Sequence, residues 1–490
     1  MILSRIEKYV VLSMALAASA GTSAQTGKSF SASSPSTDSV RVYASQQYRP
    51  HSFLRRLLMG SNYRDEWGQT VTLPVFHFSG SGFRIKDLGG GMQTKSLHLV
   101  DAHGKPWSLR TVNKEAIDDG LVPALRNRIG RNLSQDLISA AFPYAAPMAG
   151  EIAHAAGITA ARPPVFYVAA DTAFGPYQTF FSGSLCTLEE RDTGFDSTDN
   201  SETLLKNIRS SKRYRIQQEV YLRARLLDML IADWDRHADN WRWGIKDSVG
   251  SLYYYAVPRD RDWAFYKGGG LLPWLTQKTG SIPCLIPFTQ KLKNVKRQSW
   301  KSWEMDREFT NALEAADWRK VIASFCAALS DDAIVDAVKV LPAAVYATEG
   351  ETFVQKLKSR RDALPKQVMK YRRFLVQEAV VNGSNEAETF RVIAAKDSLK
   401  ISVYETATQR LLYEKVFVAG ETYVITLNGF GGDDTFDVVE NVKSRIRLVI
   451  NGGEGRNNYN IRGDIRHRIN DTSVGSNEII NQSRATQKLK

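Results

Sequence analysis

The stretch IADWDRHADNWRWGIKDSVGSLYYYAVPRDRDWAF, residues 231–265, decides the fold of this chain. Asp235 and Asn240 stand five positions apart in an acidic segment, and a Tyr-rich run with the pattern of a β-strand separates them from Asp260 and Asp262. Phosphoryl transfer needs one carboxylate to orient or deprotonate the acceptor hydroxyl, and an amide and a second carboxylate to hold magnesium against ATP phosphates. The residue types and their order therefore predict phosphoryl transfer that depends on ATP and on Mg²⁺ or Mn²⁺.

Other interpretations of the acidic segment fail on spacing or stay open. An EF-hand loop starting at Asp233 needs Gly at its sixth position and Glu at its twelfth, where the chain has Ala238 and Gly244. A calcineurin-type phosphoesterase needs GDxH and GNHD blocks, and the string GDIRH at 463–467 has the wrong spacing. A mononuclear metal-hydrolase site would need a second histidine-rich element, which this sequence lacks. A solvated acidic loop stays an alternative, although the tryptophans among the acids favour burial.

The strings DRHADN and DRDWAF resemble the catalytic block of the divergent kinase-like fold shared by HipA-type, spore-coat CotH-type and phosphatidylinositol kinases. That block has the form D-R-x-x-x-N followed by D-x-G or D-x-D. The resemblance implies that Asp235 is the catalytic base and that Asn240 and Asp260 are magnesium ligands. It leaves Asp262, which replaces the glycine of DFG, as a second metal ligand or a structural residue. Because clustered carboxylates repel one another without metal, we expect Asp235 and Asp260 to be dispensable for folding.

The chain upstream supplies the features expected of a kinase N-lobe. LGGGMQTKSLHLVDAHGKPWSLRTVNK, residues 88–114, has a glycine run, two strands and a lysine in that order. Backbone amides of a Gly-rich turn can approach phosphates closely. The predicted nucleotide-binding residues are therefore Gly89, Gly90, Gly91, Thr94, Lys95 and Lys114.

Two roles in this lobe have more than one candidate residue: the acidic partner of Lys114 and the hinge that contacts adenine. The acidic helix partner of Lys114 is either Asp136 or Glu151, with Asp136 favoured, and either could instead be a charge on a helix surface. The segment SLCTLEER stands where a hinge would contact adenine, which makes Glu189 and Glu190 candidates.

The strings RTVNK, LEER, DWDRHADNW and PRDRDWAF together also resemble a block in large bacterial envelope proteins, over about residues 70–470. In that family a calcineurin-type phosphoesterase domain can precede the block and an outer-membrane barrel can follow it. The resemblance implies outer-membrane or envelope association.

A change of pattern near residue 384 predicts a separate β-rich domain. GFGGDDTFD from Gly429 and GGEGRNNYN from Gly452 resemble the RTX nonapeptide that binds Ca²⁺ between parallel turns. Phe430 and Asn457 depart from that motif, so ordinary structural turns are the competing interpretation. Asp434 is the first calcium ligand to test.

The first residues predict export. Arg5 and Lys8 precede an apolar run that is too short to span a bilayer, and small residues follow it up to Ala24, so cleavage is expected before Gln25. A membrane anchor is the alternative. We predict the periplasm or cell envelope of a Gram-negative bacterium, where nucleotide and an unknown acceptor are the partners.

Export also argues against nucleic acid as a partner, despite the net charge of +13 and the basic segment 291–303. The pattern of that segment favours a solvated helix face.

The predicted fold class is α+β: a two-lobed, protein-kinase-like domain followed by a small β-rich domain. The predicted boundaries are a signal peptide at 1–24, a disordered linker at 25–45, a kinase-like domain at 46–383, a β-rich domain at 384–470 and a flexible tail at 471–490. The kinase-like domain divides into an N-lobe at about 70–185 and a C-lobe at about 186–383. A nucleotidyl or other transferase on the same fold, and a non-catalytic envelope binding module, are the alternative functions.

Overall fold

The computed structural model describes residues 39–49, 52–89, 94–115, 126–248, 250–280, 282–395, 397–440, 444–463, 465–471 and 478–481. The predicted signal peptide and most of the predicted linker lie outside these residues. Within them, no helix combines the length and the apolar character needed to cross a bilayer.

The N-terminal lobe is built on a seven-stranded sheet in the order β1-β2-β6-β7-β5-β4-β3, in which every neighbouring pair is antiparallel except β2 and β6. Its elements are β1 Ser39–Val42, α1 Phe53–Met59, α2 Arg64–Gly68, β2 Val71–Phe76, β3 Arg84–Gly89, β4 Ser96–Val100, β5 Pro106–Thr111, α3 Arg128–Leu137, α4 Ala145–Ala155, β6 Val165–Val168, α5 Gln178–Phe181 and β7 Leu185–Glu190.

Alternation of side chains along these strands separates a core face from a cleft face. Leu97, Leu99 and Leu109 are fully buried in one apolar cluster with Phe174 and Phe181. On β5 the residue after Leu109 therefore belongs to the opposite face, which borders the cleft between the lobes.

The C-terminal lobe combines a four-stranded sheet, in the order β8-β10-β11-β9, with a set of helices. Helix α7 is buried along most of its length because apolar side chains occupy several of its faces. The elements are β8 Thr198–Asp199, α6 Ser201–Ser210, β9 Tyr214–Ile216, α7 Gln218–Leu230, β10 Trp241–Ser248, β11 Ser251–Pro258, α8 Leu271–Thr279, α9 Val295–Gln298, α10 Trp303–Phe309, α11 Ala315–Ala328, α12 Asp331–Val338, α13 Ala343–Val345, a π-helical turn Tyr346–Gly350 and α14 Glu351–Val376.

The C-terminal domain is a parallel two-sheet stack with an antiparallel hairpin at one edge. One sheet has the order β12-β16-β18-β20 and the other has the order β15-β14-β13-β17-β19-β21. The strands are β12 Glu378–Asn382, β13 Glu388–Ala395, β14 Ser398–Glu405, β15 Leu411–Val418, β16 Val424–Asn428, β17 Thr435–Glu440, β18 Arg447–Asn451, β19 Asn458–Arg462, β20 His467–Asn470 and β21 Glu478–Asn481.

Side-chain ladders connect successive coils of this stack. Asn470 Nδ2 donates to Asn451 Oδ1 at 2.8 Å, Asn451 donates to Asn428 at 2.6 Å, and Asn428 donates to Asn382 at 2.7 Å. Phe390, Phe436 and Tyr459 stack in the interior, with ring centroids 4.7 and 5.3 Å apart.

The predicted α+β class, with a two-lobed domain followed by a β-rich domain, is confirmed, and the observed elements extend past several of the predicted boundaries. Residues 39–42 of the predicted linker form β1, because their alternating valines pair with β2 and enter the core. The β-rich domain begins at β12 rather than at 384, and β7 belongs to the N-terminal sheet. The predicted tail contains β21, which extends the parallel ladder of β19.

Candidate active site

The acidic segment lies on the loop that follows α7. Ala232 adopts a left-handed backbone with φ of 54°, which turns the chain immediately after the helix. The buried Arg360 of α14 donates to the carbonyl oxygens of Met229 and Leu230 at 2.9 and 2.5 Å. Arg360 thereby satisfies carbonyl groups that the helix end leaves without intrahelical partners. Burial lowers the pKa of this guanidinium to about 9.

Asn240 is oriented by its own loop. Its Nδ2 donates to the carbonyl oxygen of Asp235, so the amide oxygen is the atom left to bind a cation. The backbone N–H of Arg259 donates to the Asn240 carbonyl at 2.9 Å. This bond joins the predicted Asp235–Asn240 loop to the residue directly before Asp260.

Arg236 donates hydrogen bonds to the backbone of both the Asp235–Asn240 loop and the segment that ends at Asp260. Its Nη2 donates to the Asn240 carbonyl at 2.9 Å, and its Nη1 donates to the Arg259 carbonyl at 2.6 Å. Its Nε pairs with the fully buried Asp228 at 3.2 Å. Burial disfavours the charged form of Asp228, but Arg236, Arg261 and Arg225 surround it and hold its pKa below the usual range. The sequence analysis did not predict the ion pair of Arg236 and Asp228, because the residues between them form no pattern that indicates a contact.

Asp260 faces the N-terminal sheet. It adopts a left-handed backbone with φ of 56°, which is uncommon for a residue with a side chain. Its Oδ2 accepts from Arg110 Nη1 at 2.5 Å, while its Oδ1 is buried without a hydrogen-bond partner. Burial opposes ionisation, but the charges of Arg110 and Lys114 lower the pKa of Asp260 to about 2. The carboxylate is therefore ionised and has one oxygen left to bind a ligand.

Lys114 pairs with Asp262 rather than with an acid on a helix. The Lys114 Nζ lies 2.8 Å from Asp262 Oδ2 and 4.1 Å from the centroid of the Trp263 ring. Burial and the neighbouring charge of Asp260 raise the pKa of Asp262 to about 6. The predicted partner Asp136 instead forms ion pairs with Arg64 at 2.7 Å and with Arg55 at 3.3 Å.

The other candidate partner and the hinge residues are also paired. Glu151 pairs with Arg162 at 3.7 Å, so it is a charge at the surface of α4. Glu189, on β7, pairs with Arg259 at 3.1 Å. Glu190 pairs with the exposed Lys105 at 3.5 Å.

Two basic residues of the site were not predicted. Arg110 lies on β5, on the face opposite the buried Leu109, so strand alternation could have identified it. Lys301 forms an ion pair with Asp235 Oδ1 and lies 4.9 Å from the centroid of the Trp234 ring. It belongs to the segment 291–303, for which the sequence predicts a solvated helix face; Lys301 is exposed, but it lies in the turn between α9 and α10. No local pattern could have found the contact, because it joins distant parts of the chain.

These pairings change what is expected of the acids. Asp235, Asp260 and Asp262 each have a cationic partner. The expectation that Asp235 and Asp260 are dispensable for folding stays a prediction, and removal of Asp260 would leave the half-buried Arg110 charge without this partner.

The glycine hairpin is only partly described. Gly89 ends β3, where a Cβ would lie 2.4 Å from the His98 ring, so a larger residue there would have to displace that ring. Gly90 and Gly91 lie outside the described residues. Thr94 is buried, and the Lys95 amino group lies 5.3 Å from the centroid of the Phe180 ring.

A cavity of about 50 Å³ separates the two lobes at this site. Lining residues that carry charge are Arg110, Lys114, Glu189, Arg259, Asp260, Arg261 and Asp262. Asp235, Asn240, Gly89, Thr94 and Lys95 are not among the lining residues. Sites for ligands of drug size usually enclose about 300–1,000 Å³, so this cavity is smaller than such a site. Ion pairs of Arg110, Lys114 and Glu189 join the two lobes across it.

The described residues contain no group of three His, Cys, Asp or Glu side chains placed to hold a metal ion. Mg²⁺ commonly binds one or two carboxylates and completes its shell with water and substrate phosphates. The unpartnered Oδ1 of Asp260 and the amide oxygen of Asn240 fit that pattern.

Similarity to known proteins was found at the level of fold. No protein-family model matches the chain, and no curated protein matches it. The proinflammatory kinase CtkA of Helicobacter pylori shares 11% identity over 60% of this chain and 95% of its own, with a TM-score of 0.32. The Rio2 kinase of Chaetomium thermophilum, in an ADP/Mg²⁺-phosphoaspartate complex, shares 12% identity over 57% of this chain and 70% of its own, with a TM-score of 0.24. WaaP in complex with acyl carrier protein shares 8% identity over 57% of this chain and 89% of its own, with a TM-score of 0.21.

Similarities this distant carry no residue roles to this chain. The role of each residue therefore rests on the contacts that it makes within the chain. Membership of the HipA-type or CotH-type families, and of the envelope-protein family, stays a prediction.

Proposed function

We propose that the chain is an exported phosphotransferase that uses ATP with Mg²⁺ or Mn²⁺ and acts on a hydroxyl acceptor. The observation that carries the proposal is the position of Asp260. Its ionised, partly unpartnered carboxylate lies beside Arg110 and is joined through Arg259 to the loop of Asp235 and Asn240. Export is supported by the order of basic, apolar and small residues up to Ala24, and intact mass from the native envelope should give an amino terminus at Gln25.

Each residue has a role that follows from its surroundings. Arg110 and Lys114 would release their carboxylate partners and bind phosphate oxygens when the cleft opens. Asp260 and Asn240 would hold magnesium, which neutralises charge on the phosphates when it is bound. Asp235 would accept the proton of the acceptor hydroxyl, with Lys301 fixing the orientation of its carboxylate.

Calorimetric titration and turnover assays of isosteric variants test these roles. Asp260→Asn should abolish metal-dependent nucleotide binding, because a metal ligand acts on the bound ground state. Asp235→Asn should leave binding nearly intact and lower turnover by about 10²- to 10⁴-fold, because a base acts as charge develops on the acceptor. Lys114→Ala should weaken phosphate binding to an intermediate degree.

Asp239→Asn is the matched control, because Asp239 is in the same loop with its side chain 94% exposed. Absence of binding of any nucleotide to the wild type, with either metal, would exclude the proposal and favour a non-catalytic module. Release of pyrophosphate in place of ADP would identify a nucleotidyl transferase instead.

A further inference from the structure

Two helices expose an unusual concentration of large apolar side chains. Five of the fourteen such side chains that are exposed in the described part of the chain lie on α1 and α8. They are Phe53 at 82%, Leu54 at 50%, Leu57 at 53%, Leu271 at 49% and Trp274 at 51% exposed. We call these five residues the apolar patch. Contiguous exposed apolar surface usually marks an interaction site.

The two helices that carry the apolar patch, α1 and α8, pack closely against each other. A Cβ on Gly270, directly before α8, would lie 2.4 Å from the backbone nitrogen of Gly60, directly after α1, so glycine permits this approach. Leu57, Leu271 and Trp274 line a common cavity of about 460 Å³.

A second cavity, of about 600 Å³, adjoins the patch through Leu57. It is lined by Arg56, Lys267 and Lys356, and none of its described lining residues is acidic. We call it the basic cavity. Lys267 also pairs with Glu66 at 3.7 Å. Burial and then the charge of Lys267 lower the pKa of Lys356, while the charges of Glu349 and Glu66 oppose this shift.

We propose that the apolar patch and the basic cavity together form a docking surface for an anionic lipid bilayer. The patch places Phe and Leu side chains where they can enter the acyl boundary, and Trp274 at the level of the headgroups. Arg56, Lys267 and Lys356 are positioned to bind the lipid phosphates, because cations near an anionic surface are attracted to it. The net charge of +13 has the complementary sign. This docking does not depend on the phosphotransferase proposal.

Flotation of the full-length protein with phosphatidylcholine vesicles, with and without phosphatidylglycerol, tests the docking surface. We expect the wild type to float with vesicles that contain phosphatidylglycerol. Phe53→Ser combined with Trp274→Ser should lower this binding at least about tenfold, since two aromatic side chains no longer leave water. Arg56→Glu combined with Lys356→Glu should abolish the preference for phosphatidylglycerol.

Val416→Ser combined with Val418→Ser is the control, because these side chains on β15 are 48% and 49% exposed and lie outside the patch. Brominated lipids should quench the tryptophan fluorescence of the wild type more strongly than that of Trp274→Phe. Equal vesicle binding by the wild type and all variants would overturn the proposal. The proposal would also be overturned if the wild type formed a dimer that does not bind vesicles and if Phe53→Ser converted that dimer to a monomer. The occupant of the surface would then be a second copy of the chain.

Discussion

Lys301 and Asp235 form an ion pair although they are separated by 66 positions in the sequence. The lysine is about one third exposed and the aspartate about one fifth, so this pair contributes little to stability, of the order of 0–1 kcal/mol. Its consequence is the orientation of a carboxylate at the proposed acceptor position.

At this residue scale we predict that Lys301→Ala lowers turnover by about tenfold or more and leaves nucleotide binding close to the wild-type value. The reason is that a lysine at this position acts on the proposed base and on developing charge, not on the bound nucleotide. Steady-state kinetics, with kcat and KM determined separately, measures the effect. Lys293→Ala, an exposed change in the same segment, is the control. An unchanged kcat in Lys301→Ala would show that the ion pair has no part in the reaction.

In the C-terminal domain, polar residues recur at one equivalent position in successive coils. Glu388, Asp434 and Asn457 occupy equivalent positions in successive coils. The N–H of Glu388 donates to Asp434 Oδ1 at 2.9 Å, and the N–H of Asp434 donates to Asn457 Oδ1 at 3.2 Å. One oxygen of Asp434 is thus part of a ladder, and the other is buried without a hydrogen-bond partner. Calcium binding at Asp434 stays a prediction, and the ladder favours structural turns.

At this element scale we predict that Asp434→Asn stabilises the protein near neutral pH. Burial raises the pKa of Asp434 from 3.8 to about 8, although the hydrogen bond from the Glu388 N–H acts in the opposite direction. Between these values the folded protein retains a proton that the unfolded chain has released, so wild-type stability falls as pH rises from about 4 to about 8. The asparagine cannot ionise, and Asn457 shows that the next coil accepts this residue.

Thermal unfolding between pH 5 and pH 8 measures the predicted stabilisation. The difference between variant and wild type should grow with pH, while the exposed Asp397→Asn should show no such trend. If Asp434 binds calcium, the opposite result is expected: calcium stabilises the wild type and Asp434→Asn removes that effect.

At the scale of the whole molecule, polar contacts join the C-terminal domain to the two-lobed domain. Lys415 is 7% exposed and its Nζ donates to the carbonyl oxygens of Asn311 and Leu313 at 2.8 and 2.9 Å. Asn382 Nδ2 donates to Glu308 Oε1 at 2.8 Å, and Asn385 N donates to the Arg209 carbonyl at 2.6 Å. The β-rich domain is therefore a packed part of the structure.

We predict that the wild type unfolds in one thermal transition and that Lys415→Met separates it into two. The substitution leaves two partly buried carbonyl groups without this donor, at a cost of up to about 1–3 kcal/mol each. Differential scanning calorimetry measures the transitions. Lys400→Met, at a 46% exposed lysine on the neighbouring strand, should keep a single transition. Two transitions already present in the wild type would contradict the coupling of the domains.

Local sequence determined much of this protein. The helix before the acidic loop, the hairpin between Asn240 and Asp260, and the Ser330 cap of α12, whose side chain accepts from Ala333 N, all follow from periodicity and short-range chemistry. The extent of β1 and β21 did not follow, because a short strand is stabilised by its pairing partner.

The tertiary structure alone decided which charges meet. Lys114 is paired with Asp262, Asp136 with Arg64, and Lys301 with Asp235. The energy of an ion pair depends on the distance and burial of its two groups, and neither is encoded by their separation in the sequence. The sequence thus identified the candidate catalytic acids, whereas their cationic partners depend on which distant parts of the chain pack together.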